Sequence, residues 1–189
     1  MEPPVILTEP ANATVIESLE ATFTVEAGGT EPLSYQWYFN GTNLVMGATN
    51  AVLVLADAQT SNAGPYHVVV ANAFGSVASA TATLNVLVPP RITNQSSDRT
   101  VIQGNSALVG VIATGTAPLS YQWRRNGLEL SGRTNATLII TNVQFADAGL
   151  YSVIVTNQAG FALSAPVSVT VLERTVIQSQ PASLVVTQG

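Results

Sequence analysis

The hexapeptide "PLSYQW" occurs twice, at Pro32–Trp37 and Pro118–Trp123, 86 residues apart in a chain of 189. A period of that size points to two similar domains rather than one large one. The second half can be laid on the first over almost its whole length: "ATFTVEAGGTEPLSYQW" meets "ALVGVIATGTAPLSYQW", and "TNAVLVLADAQTSNAGPYHVVVANAFG" meets "TNATLIITNVQFADAGLYSVIVTNQAG". The match begins a third time at Ile177–Gly189, "IQSQPASLVVTQG", which answers "ILTEPANATVIES" from Ile6 and "ITNQSSDRTVIQG" from Ile92. The expected organisation is therefore one domain over 4–88, a second over 89–172, and the opening strand segment of a third repeat over 173–189.

Inside each repeat the apolar residues recur with period 2, the strand signal. Ala78, Ala80, Ala82, Leu84 and Val86 are expected to face one way and Ser79, Thr81, Thr83 and Asn85 the other. The counterparts are Leu163, Ala165, Val167, Val169 and Val171. Asn40-Gly41 and Asn126-Gly127 are hairpin signals, because both central positions of a type I′ turn need positive φ. No stretch carries a helical period, so the expected class is all-β, an antiparallel sandwich in each repeat. Val88-Pro89-Pro90 closes the first repeat; two prolines that cannot donate to a ladder predict a short, stiff junction.

The residues are then specific enough to resemble a family. Tyr35-Gln36-Trp37 and Tyr121-Gln122-Trp123 resemble strand C of an immunoglobulin-like domain with its buried tryptophan. The run Leu138–Val153, "LIITNVQFADAGLYSV", resembles the E to F passage of the intermediate set. A fibronectin type III domain lacks that D-x-G-x-Y run. The resemblance implies tandem immunoglobulin-like sandwiches of the kind found in large bacterial surface or secreted repeat proteins. It places a disulfide where this chain, with no cysteine, has none. Val25 and Val68, and Val111 and Val153, then stand at the cysteine positions. A bridge closing such a loop would contribute about 4 kcal/mol, and each buried valine returns about 1.5–3, so packing can replace the covalent link. Tyr66 and Tyr151 fall where the family has its tyrosine corner, whose hydroxyl bonds upstream backbone. On this reading the hexapeptide repeats because each sandwich needs one tyrosine and one tryptophan, Trp37 or Trp123, at its centre. Arg125 and Asp147 of the second repeat are replaced together by Phe39 and Asn62 in the first, and are expected to form a partly buried ion pair.

Composition removes most chemistry. Only 9% of residues are charged, against about 25% in ordinary soluble domains, and a neutral polar surface repels itself weakly. Residues 1–90 have no Lys or Arg and a charge of −7, while residues 91–172 carry +2. Five scattered arginines are not the dense basic stripe that nucleic acid needs, and no apolar run is long enough for membrane insertion. The chain has no lysine, so Schiff bases, phosphate-loop lysines and Lys-Asn isopeptide staples are excluded. Its one histidine, His67, alternates with core positions and is expected to point outward, with no G-x-S-x-G elbow beside it. Glu17, Glu20, Glu26 and Glu31 read as solvated surface, and three aspartates make no calcium cage. No catalytic residue, metal site or cofactor is expected.

Two functions fit. The leading one is a non-catalytic stalk, spacer or filament subunit of a larger extracellular or cell-surface protein, whose partners are further copies of the repeat or neighbouring domains. The other is an adhesion or glycan-binding accessory module of a secreted protein. Its protein or glycan ligand would meet the B–C and F–G loops, Gly28–Glu31, Asn72–Gly75, Thr114–Ala117 and Asn157–Gly160, where Phe74 and Phe161 are expected as apolar fill.

Overall fold

The structure is a computed structural model that describes residues 1–176, 178 and 179. The expected third-repeat strand, 173–189, lies mostly outside the described residues. The first repeat contains β1 (Val5–Thr8), β2 (Ala13–Ile16), β3 (Ala21–Thr24), β4 (Glu26–Gly28), β5 (Ser34–Phe39), β6 (Asn43–Leu44), β7 (Val52–Leu55), β8 (Gly64–Asn72), β9 (Gly75–Ala78) and β10 (Ala82–Leu87). The second contains β11 (Arg91–Gln95), β12 (Arg99–Ile102), β13 (Ala107–Thr114), β14 (Ser120–Arg125), β15 (Leu128–Glu129), β16 (Thr137–Ile140), β17 (Gly149–Asn157), β18 (Gly160–Leu163) and β19 (Val167–Leu172). Two compact units result. One comprises 1–91 with 114–119 and 156–162; the other takes 92–113, 120–155 and the described residues from 163 on.

Both repeats have the sandwich arrangement that alternating strands require. The larger sheet runs β2-β10-β8-β5-β6, with β9 also on β8; its counterpart runs β12-β19-β17-β14-β15, with β18 on β17. The facing layer is β11-β13-β16 in the second repeat. In the first, the corresponding strand is interrupted at Val25, giving two small sheets, β1-β4 and β3-β7. β2 joins β10 in parallel and β12 joins β19 in parallel, with antiparallel pairing in the other registers resolved.

Trp37 and Trp123 are buried, as are Val25, Tyr66, Val68, Val111, Tyr151 and Val153. Val25, Val68, Trp37 and Tyr66 belong to one cluster with Phe23, Leu53, Ala58 and Leu84. Tyr35 and Tyr121 differ from the expectation for the hexapeptide. They are half-buried at the margin of the core, so only its tryptophan reaches the centre.

The last strand of each repeat also departs from its expected alternation. Ala78, Ala80, Leu163 and Ala165 are exposed, and the inward phase before the break runs instead through Val77 and Ser79, and Ala162 and Ser164. It returns to the expected phase only at Ala82 and Val167. A serine causes the slip. Ser79 N donates to Val68 O (2.9 Å) while its Oγ accepts from Val68 N (3.1 Å). Ser164 does the same with Val153, at 3.0 and 2.9 Å. A side-chain oxygen thus takes the place of a ladder carbonyl and the strand gains a residue, as at a bulge.

Candidate functional site

The loops assigned to ligand recognition are occupied by the chain itself. In the first repeat, Thr30 N donates to Glu2 O (3.2 Å) and Glu2 N donates to Thr30 Oγ1 (2.7 Å). Asn72 Nδ2 bridges the two sides, donating to Glu2 O (2.9 Å) and Thr30 O (2.8 Å), while its Oδ1 accepts from Phe74 N and shapes the β8–β9 turn. Gly29, at φ +135°, lies under Pro3 and Pro4; a Cβ there would come within 2.9 Å of the Pro3 carbonyl oxygen.

The same clasp recurs 86 residues on, within the same compact unit. Thr116 N donates to Val88 O (2.9 Å), Val88 N donates to Thr116 Oγ1 (2.7 Å), and Asn157 Nδ2 donates to Val88 O and Thr116 O, each at 2.8 Å. Asn157 Oδ1 accepts from Ala159 N, and a Cβ on Gly115 would meet Pro89 O at 3.0 Å. Each clasp therefore needs a threonine, an asparagine and a glycine on the loops, and an x-Pro-Pro segment to fill it. Proline suits that segment because its fixed φ reduces the entropy lost on docking. Only the backbone of the preceding residue is read, so Glu2 and Val88 serve equally. The sequence signal was the doubled Pro-Pro and Thr, each 86 residues apart, with the doubled Asn 85 apart.

Phe74 and Phe161 do not fill the hairpins as expected. Phe74 is 44% exposed in the β8–β9 turn, and Phe161 is 71% exposed because the inward position of β18 belongs to Ala162 after the serine slip.

The residues around each tryptophan are architectural. Trp37 Nε1 donates to Asn50 O (2.9 Å) and Trp123 Nε1 to Asn135 O (2.8 Å). The glutamine between tyrosine and tryptophan was not read from the sequence. Gln36 Nε2 bonds the carbonyls of Trp37 and Val45, and Gln122 Nε2 those of Trp123 and Leu130, so it holds the connection after β6 or β15 against β5 or β14. Tyr66 donates its hydroxyl proton to Asn62 O (2.8 Å) and Tyr151 to Asp147 O (2.6 Å). Burial pushes both phenols above their ordinary value, and for Tyr151 the nearby Arg125 opposes that rise. Arg125 Nη1 lies 3.4 Å from Asp147 Oδ1 and 2.8 Å from Ala146 O, with both charged side chains about one-third exposed.

The remaining polar residues are spread apart. Glu17 meets Arg91 at 3.3 Å, Glu26 accepts from Thr8 Oγ1, and Glu31 accepts from Leu33 N. His67 stacks on Tyr38 with ring centroids 5.2 Å apart and planes 12° from parallel. Among the described residues no group of His, Asp and Glu is arranged to hold a metal ion.

An immunoglobulin domain profile matches residues 3–72 and 89–157, and the chain belongs to that family. It is 30% identical to human Hemicentin-1 across 96% of its own length and 4% of that protein's. It is also 30% identical to Endoglucanase C of Cellulomonas fimi, over 89% of this chain and 16% of that protein. The chain thus spans a small part of these curated relatives. Among solved structures, titin domains I67–I69, an E-to-A variant, superpose with a TM-score of 0.76 at 23% identity, covering 96% of this chain and 70% of that one. That likeness establishes the tandem immunoglobulin fold.

Proposed function

We propose that this chain is a non-catalytic stretch of an immunoglobulin-like array, a stalk, spacer or filament subunit of a larger extracellular or cell-surface protein, with repeat units at 4–88 and 89–172. The observation that carries the reading is the clasp. The loop ends that would otherwise be free for a ligand close, in both repeats, on the x-Pro-Pro segment that leads into the repeat. A module that spends its loops on holding its own lead-in segment is suited to transmitting position along a chain. Its neighbours in that setting are other copies of the repeat.

Hydrogen exchange tests this. Asn157→Ala removes two bonds that hold Val88 and Thr116, and exchange of the Thr116 amide is expected to quicken about tenfold, with tryptophan fluorescence unchanged. Unchanged exchange at Thr116 would remove the support for the reading.

The alternative, a glycan-binding or adhesive accessory, is favoured by the exposed ring of Phe161 and by the likeness to Endoglucanase C. A glycan array probed with the full chain and with Phe161→Ala decides it: saturable binding lost in the variant transfers the function to this face.

A further inference from the structure

The connections from β6 to β7 and from β15 to β16 carry no strand, and carbonyls along them are already committed. Trp37 N donates to Ala48 O and Trp123 N to Arg133 O, while the tryptophan indoles take Asn50 O and Asn135 O. Among the described residues, β7 and β16 are therefore left as sheet edges, each paired on one side only.

The phase of those edges is fixed. Val25 N donates to Ala51 O and Val111 N to Ala136 O, both at 3.0 Å. With the antiparallel registers Phe23↔Leu53 and Val109↔Leu138, the backbone groups of Leu53 and Leu138 turn into the sheet. Those of Val52 and Val54, and of Thr137 and Ile139, turn outward. Neither edge carries the charge or proline that natural proteins use to block pairing: the strands read "VLVL" and "TLII". Val52, Val54 and Ile139 are 42, 50 and 49% exposed.

We propose that β7 of one copy adds to β16 of a second copy as an antiparallel strand, with Val52 opposite Ile139 and Val54 opposite Thr137. That register alone uses all four outward residues. Charge selects the partner. The first repeat has no cation and the second is net positive, so first repeats repel one another and attract second repeats. The local charges agree. In this register Asp57, exposed two residues past β7, faces Thr134, next to Arg133 at the mouth of the β16 edge. Arg133 has no ion-pair partner among the described residues. A contact between unlike edges leaves one of each kind unused, so it propagates as an open chain or closes as a ring.

Sedimentation velocity of the full chain, in a concentration series up to about 1 mM at low and high salt, tests the pairing. Concentration-dependent association that weakens with salt is expected. Val54→Pro and Ile139→Pro each remove an outward N–H without touching the existing ladder, and each should weaken association about tenfold. Asp57→Arg and Arg133→Asp should each weaken it about threefold, and the double variant, which restores opposite charges, should recover it. If a proline variant loses its tryptophan burial, the charge exchange decides alone. A monomer throughout at low salt, or association indifferent to these substitutions, overturns the proposal. It stands apart from the spacer reading, whose hydrogen-exchange test such a failure would leave intact.

Discussion

The two repeats solve the same corner differently. In the second, Arg125 reaches Asp147 and Ala146 O above Tyr151. In the first, Phe39 replaces the arginine and its ring packs on Tyr66 with centroids 4.8 Å apart; Phe23 also packs on Tyr66, at 5.1 Å, and lies 6.1 Å from Trp37. The second repeat has Val109 in place of Phe23. Asn62 is no loss at its own position. It accepts from Gln59 N at 2.8 Å just as Asp147 accepts from Gln144 N at 2.9 Å. The carboxylate is required by the arginine, whereas the cap needs only an oxygen. One corner thus gains from hydrocarbon and ring contact, which salt does not screen, and the other from a partly exposed charge pair.

The contrast can be broken most strongly at the aromatic cluster. Phe23→Ala should destabilise the first repeat by about 3–5 kcal/mol, against about 2 for Val109→Ala in the second, as read by urea unfolding. Tyr151→Phe and Tyr66→Phe each remove one bond to a corner carbonyl and should cost about 1 kcal/mol. Arg125→Met should cost less than about 1 kcal/mol because both partners are about one-third exposed, and that cost should shrink in high salt, whereas Phe39→Ala should be indifferent to salt. The smallest effect is in pH. Both phenols have folded-state values above the ordinary 10.0, so the folded protein holds protons that the unfolded chain releases. Their stabilising effect is complete below pH 10 and is lost as pH rises above it. Tyrosinate absorbance in Arg125→Met should show Tyr151 titrating still higher, since the opposing cation is gone.

The sandwich, the repeat period and the buried tryptophans were legible in the chain because alternation and a repeated hexapeptide are local records of one buried face. The serine slip was not. Leu163 and Ala165 satisfy the apolar alternation, yet Ser164 is the residue turned inward, because a bond to Val153 outweighs the pattern. Nor were the clasps foreseen. Thr30 is an ordinary loop residue and Asn72 only the last residue of β8 until the fold brings Glu2 between them, 28 and 70 residues away in sequence.

By itself, then, the sequence determined the class of fold, the unit that repeats, and the absence of lysine and cysteine chemistry, since these depend on residue type and short-range order. Only the tertiary structure decided that the loops holding the clasps are filled, that Phe161 is bare, and that, among the described residues, β7 and β16 are left as edges. Those properties depend on which backbone donors and acceptors remain unspent after distant segments meet.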